Sequence, residues 1–140
     1  MQSKLSFVIV TNERPLIAIV DDDEPIRKAL TRLLRSFGYD IESFPSGAEF
    51  LESLSTHQPG CVVLDLHMPG ISGFEVQVRL EQSRINVPVI IITGHDSVET
   101  RAQVMKRKPV AYLRKPVNDQ VLHDAIELAL GQNPGVTEKQ

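Results

Sequence analysis

The sequence is short of cysteine. Among its 140 residues only Cys61 carries a thiol, which excludes an internal disulfide. Cys61 opens an apolar run and reads as a small buried residue rather than a reactive one. An excess of cations is missing too. Fifteen Lys and Arg stand against eighteen Asp and Glu, for a net charge of -3. That excludes the broad basic field by which proteins hold a nucleic-acid backbone. No apolar run approaches the ~18 residues of a membrane span. Leu5 to Val10 is too short for a secretory apolar core and has no small-residue cleavage site. Also absent are Cys/His clusters with zinc spacing, a glycine-rich phosphate loop, internal repeats and low-complexity tracts. What remains is an ordinary globular composition, 41% apolar and 24% charged, at a length that suits one domain.

What is present is organised around Cys61-Val62-Val63-Leu64-Asp65. A continuous apolar run ends in one carboxylate, and Pro69-Gly70 breaks the chain soon after. Such a run fits a strand buried on both faces. In open α/β sheets ligands bind outside the carboxyl ends of the strands. Asp65 is therefore either a functional carboxylate at a strand tip or an acid that starts a turn.

Other strand ends decide between these. Residues 1 to 14 stand apart, as a tail or a short extra strand over Phe7 to Val10. Leu16 to Val20 is a strand that runs into Asp21-Asp22-Asp23-Glu24. Pro25 then suits the first turn of a helix. Ile26, Ala29, Leu30, Leu33, Leu34 and Phe37 give that helix an apolar face, and Gly38 stops it. Tyr39 to Phe44 alternates as a strand. Ser46 and Glu49 fit a capping box before a short helix that uses Phe50, Leu51 and Leu54. After Asp65 a helix is expected over Ser72 to Gln82, with Phe74, Val78 and Leu80 inward. Val87 to Ile92 is a fourth strand, ending at Thr93-Gly94-His95-Asp96. Ser97 caps a helix expected to bury Val98, Ala102 and Met105. Val110 to Leu113 is a fifth strand, followed by Arg114-Lys115-Pro116. Asn118 caps a last helix with Val121, Leu122, Ala125, Ile126 and Ala129 on one face, and Gly131 to Gln140 is a polar tail.

Five strands alternating with five helices imply a parallel sheet covered on both faces. All strands then end on one edge, which gathers Asp21, Asp22, Asp65, Thr93 and Lys115. Packed carboxylates repel each other unless a cation relieves them. Hard oxygen ligands describe a magnesium site better than a zinc site. Thr93 and Lys115 suit phosphoryl oxygens, and the Asp65 carboxylate can act as a nucleophile toward phosphorus. Asp23 and Glu24 read instead as acids at a helix N-terminus. Taken singly, Thr93 is as well a capping hydroxyl and Lys115 a solvated lysine.

These pieces resemble the receiver domain of bacterial two-component response regulators: Val20-Asp21-Asp22, the strand ending at Asp65 with Met68-Pro69-Gly70 after it, Ile92-Thr93-Gly94, and Tyr112-Leu113-Arg114-Lys115-Pro116. The stretch Val20 to Pro25 is similar to receivers of the FixJ kind. The resemblance spans about residues 15 to 130. It implies a flavodoxin-like (βα)5 three-layer sandwich with sheet order 2-1-3-4-5. It implies that Asp65 accepts a phosphoryl group from a histidine kinase or phosphotransfer protein. It implies Mg2+ held by Asp21, Asp22, Asp65 and the His67 carbonyl, with Thr93 and Lys115 on the phosphoryl group and a cis bond before Pro116. Tyr112 matches the switch aromatic, and the face made by the fourth helix, fifth strand and fifth helix would meet an effector or a second copy. A signalling module rather than an enzyme is expected, in the cytoplasm, with no direct nucleic-acid or membrane contact. His67 and His95 either flank the phosphoryl group or are exposed loop histidines.

One stretch departs from the family. Lys106-Arg107-Lys108-Pro109 replaces the small, glycine-containing turn usual before the fifth strand. Without glycine, φ > 0 is harder to reach. The basic run either recognises an acidic partner or is solvated surface. The ten residues after Leu130 cannot form a DNA-binding module, so either a stand-alone receiver or a fragment of a longer regulator is expected. Three other readings stay open. They are a magnesium-dependent phosphatase or phosphotransferase, which lacks a cap domain here, a flavodoxin-like cofactor binder, and a constitutive interaction module.

Overall fold

A computed structural model describes residues 14–132. The expected tails lie largely outside this range. Within it the chain alternates β1 (Leu16–Val20), α1 (Glu24–Ser36), β2 (Asp40–Phe44), α2 (Gly47–Ser53), β3 (Cys61–Asp65), α3 (Gly73–Gln82), β4 (Val89–Thr93), α4 (Val98–Met105), β5 (Ala111–Arg114) and α5 (Asp119–Gln132). The last helix runs two residues into the expected tail, through Gly131. All strand pairs are parallel, in the order β2-β1-β3-β4-β5.

The strand sequences explain the three layers. β1, β3 and β4 are apolar at nearly every position because both of their faces are covered. Their side chains alternate between two cores. Ile17, Ile19, Cys61, Val63, Ile90 and Ile92 meet α1 and α5 through Leu34, Leu122 and Ile126. Ala18, Val20, Val62, Leu64 and Ile91 meet α2, α3 and α4 through Phe50, Leu54, Val76, Leu80 and Val104. Burial pushes the Cys61 thiol up to about 12, so it is an inert packing group.

Side chains start the helices as their sequences foretell. Ser46, Ser72, Ser97 and Asn118 each accept from the backbone N–H three residues on, at 2.9–3.1 Å. Asp23 does the same for Ile26 at 3.2 Å, so it is the N-cap of α1.

Some inward positions differ from expectation. On α4, Val98 is 76% and Met105 45% exposed, Ala102 is exposed too, and the buried residue is Val104. Val98, Ala102 and Met105 do share a face of this eight-residue helix, but that face looks outward. Val121 of α5 is also exposed, while Leu122, Ala125, Ile126 and Ala129 are buried. On α3 the buried set is Gly73, Val76, Gln77 and Leu80, with Phe74 and Val78 only half-buried. On α1, Ala29 is exposed. Periodicity groups residues on one face of a helix but does not say which face meets the sheet.

The turn after α4 reaches positive φ without glycine, at Lys108 (φ 52°). Arg84, after α3, does the same at φ 57°. After α1 the same role falls to Gly38 at φ 97°.

Candidate functional site

The sheet order reverses direction between β1 and β3, and this switch point opens a crevice at the carboxyl edge. Asp21 leaves β1 there, and Asp65 is the last residue of β3. Asp21 is fully buried and Asp65 nearly so, while Asp22 is exposed at the mouth. One carboxylate oxygen from each of Asp21, Asp22 and Asp65 lies within 4.8 Å of the others. The backbone fixes this arrangement. Asp21 N–H donates to the Phe44 carbonyl at 3.2 Å, and Asp21 Oδ1 accepts from Asp23 N–H at 2.9 Å. Arg27 Nη1 reaches back from α1 to the Asp21 carbonyl at 2.7 Å.

Lys115 enters from the opposite wall. Its Nζ lies 3.0 Å from Asp21 Oδ2 and 3.2 Å from Asp65 Oδ1. Lys115 N–H donates to the Thr93 carbonyl at 2.8 Å, and the Lys115–Pro116 bond is cis. Burial works to lower the ammonium, but the carboxylates of Asp21 and Asp65 outweigh it and hold it above its ordinary value. Asp65 behaves differently. Burial and the charge of Asp21 raise it to about 6, against the pull of Lys115. Ionising Asp65 is thus harder than for an ordinary carboxyl, and positive charge brought to the crevice would relieve it.

The donor set fits a divalent, oxygen-seeking ion. Three carboxylates against one ammonium leave two negative charges. Asp21 Oδ2 is shielded from solvent and faces the Lys115 ammonium at 3.0 Å. No cysteine or imidazole nitrogen belongs to the cluster, so hard-ion chemistry is favoured. Receiver domains generally bind Mg2+ at such an acidic pocket.

Thr93 is buried at the end of β4, on the same edge, but its hydroxyl is engaged in its own loop. Oγ1 donates to the His95 carbonyl at 3.1 Å and accepts from His95 N–H at 3.0 Å. His67 and His95 are both exposed and meet above the crevice. Their rings stand edge to face at 5.5 Å, and a His67 ring nitrogen lies 3.2 Å from the His95 carbonyl.

Two participants carry no clear signal in the sequence. Gly73 starts α3 against the end of β3, where a Cβ would lie 2.5 Å from the Asp65 carbonyl. Only glycine lets the helix approach the site this closely. Asp96 gathers the far side of the β4–α4 loop. It accepts from Tyr112 Oη at 2.9 Å and from Arg101 through both carboxylate oxygens, with Arg114 Nη1 at 3.5 Å. The hydrogen bond from Arg101 holds Asp96 below the usual carboxylate range. Burial, with Asp96 as acceptor, raises Tyr112.

Among the described residues no helix is long and apolar enough to cross a membrane. A family model for the response regulator receiver domain matches residues 17–127. Nodulation protein W of Bradyrhizobium diazoefficiens is 38% identical over 116 residues, which are 83% of this chain and 51% of that protein. Transcriptional regulatory protein FixJ of Rhizobium meliloti is 39% identical over 113 residues, 81% of this chain and 55% of that protein. The chain thus spans about half the length of the curated relatives it matches. The crystal structure of FixJ-N superposes with a TM-score of 0.79 at 37% identity, over 86% of this chain and 96% of that one. A receiver from Clostridium thermocellum gives 0.80 at 28% identity, over 88% and 99%. Fold, acidic crevice and relatives agree, and this chain belongs to the response regulator receiver domains of two-component systems, which are signalling modules and not enzymes.

Proposed function

We propose that the chain is a phosphoacceptor switch in which Asp65 takes a phosphoryl group from the phosphohistidine of a histidine kinase or phosphotransfer protein. The observation that carries this is the Asp65 carboxylate at the switch point, 3.2 Å from the Lys115 ammonium and beside two further carboxylates. In the transfer an Asp65 oxygen forms a bond to phosphorus as the phosphorus–imidazole bond breaks. That electron pair returns to the donor's imidazole. Asp21, Asp22, Asp65 and the His67 carbonyl would hold Mg2+, which supplies charge neutralisation for the transferring group. Lys115 meets a phosphoryl oxygen from the opposite wall, and Thr93 meets another once its hydroxyl leaves His95. His67 and His95 are placed to bound the life of the acyl phosphate.

The receiver is residues 15–130. Its output runs from Thr93 through Tyr112 to the face of α4, β5 and α5. Val98 and Met105 on α4 and Val121 and Leu128 on α5 are exposed, apolar material for an effector or a second copy of the chain.

Intact mass after incubation with acetyl phosphate and Mg2+ tests the reading. One added phosphoryl group is expected, absent when the metal is chelated beforehand and absent in Asp65→Asn. An unchanged mass of the wild type would overturn it.

A further inference from the structure

Tyr112 is half-buried, packed against the core that faces α2, α3 and α4. Its hydroxyl donates to Asp96 at 2.9 Å, and the Arg101 guanidinium sits over its ring at 5.7 Å. Arg101 and Arg114 converge on the same carboxylate, whose side chain is only 13% exposed. One aspartate therefore ties together three elements: the β4–α4 loop that carries it, α4 through Arg101, and β5 through Tyr112 and Arg114. Asp96 lies three residues from Thr93, on the loop whose His95 backbone holds the Thr93 hydroxyl. For Thr93 to reach a phosphoryl group on Asp65, this loop must shift. A shift of the loop carries Asp96 away from Tyr112, Arg101 and Arg114 together.

We propose that Asp96 is a positioning residue that latches the resting state, clamping Tyr112 outward and the β4–α4 loop closed until phosphorylation draws the loop away. This rests on the phosphoacceptor reading given above. Asp96 touches no reacting atom. It acts on the equilibrium between two arrangements of Thr93 and Tyr112, and biasing either arrangement shifts the populations. The arginines set the strength of the latch, because an ionised, doubly bonded acceptor holds more firmly than a neutral one. Tyr112 reports on it, because its hydroxyl loses its carboxylate acceptor when Asp96 is replaced.

The test compares Asp96→Ala and Asp96→Asn with the wild type in two ways. Without phosphate, nuclear Overhauser contacts are read from the Tyr112 ring, with Tyr39→Phe separating the two tyrosines. In Asp96→Ala the contacts to Arg101 should give way to contacts with Thr93. With Mg2+ and acetyl phosphate, the initial rate of mass gain should rise by at least about five-fold, at the lower end of ordinary coupling between sites. Asp96→Asn keeps an acceptor for Tyr112 and should fall between. A Tyr112 ring that stays on Arg101 in Asp96→Ala, with a rate equal to or below that of the wild type, overturns the latch. Should the wild type take up no phosphoryl group, the phosphoacceptor reading fails alone, and the ring contacts still decide the latch. If Asp96→Ala does not fold, Asp96→Asn is read by the same two criteria.

Discussion

Replacing Asp65 by asparagine should stabilise the metal-free protein at neutral pH and do nothing in acid. The sign follows from the crevice. Burial and Asp21 raise Asp65 from 3.8 to about 6, so the native state favours its protonated form. A carboxyl raised in this way contributes stability below pH 3.8. That contribution is lost as the pH rises through about 6. At pH 7 the full linkage cost of such a shift is about 3 kcal/mol, at 1.36 kcal/mol per unit. Water and salt at the open mouth screen it, so roughly half, about 1.5 kcal/mol, is expected. Asparagine keeps the shape and removes the charge. Lys115 loses one partner but keeps Asp21 at 3.0 Å. Urea unfolding of both proteins from pH 4 to 8 in chelator measures the gap. It should be near zero at pH 4, open through about pH 6 and level off above. Near neutrality this is a rise in melting temperature of roughly 3–6 °C for a domain of this size. Mg2+ should then narrow the gap, because a tenfold excess over Kd gives the wild type about 1.4 kcal/mol. A variant that is less stable at pH 7, or a gap that does not change with pH, would refute the charge argument.

Other consequences follow from the same geometry. Lys108→Gly should raise stability by about 0.5–1 kcal/mol in urea unfolding, because Lys108 sits at φ 52° just before Pro109. Gly73→Ala should cost about 1–3 kcal/mol through overpacking against the Asp65 backbone, and should slow acetyl phosphate labelling as that carboxylate is displaced. Phe50→Ala, which empties a fully buried site between α2 and the sheet, should cost about 3–5 kcal/mol without preventing phosphorylation of the molecules that remain folded.

What the sequence made legible follows from what local patterns encode. β1, β3 and β4 announce themselves because burial on both faces demands unbroken apolar runs. Asp21, Asp65 and Thr93 are legible because each polar residue follows such a run directly, and a parallel sheet brings those ends together. Gly73 is not legible, because a clash between the start of a helix and the strand before it exists only in three dimensions. Asp96 is not legible either, since Arg101, Tyr112 and Arg114 come to it from α4 and β5.

These misreadings are not spread evenly. The outward apolar face of α4, the unforeseen Asp96 cluster and the left-handed Lys108 all fall between Thr93 and β5. Elsewhere the caps follow the sequence and the departures are single positions, Ala29 on α1, Gly73 and Val78 on α3 and Val121 on α5. Local rules are expected to fail where a protein has a use for the failure. An exposed Val98 and Met105 bury little apolar area within the described residues and leave it at the surface. A carboxylate shared by a tyrosine and two arginines does little for a core, yet it can couple a loop to a strand. An acidic crevice that reads cleanly and a surface around α4 and β5 that reads poorly answer to different constraints. The crevice is built from residues that directly follow apolar strands, whereas the Asp96 cluster is built from residues that only the fold brings together.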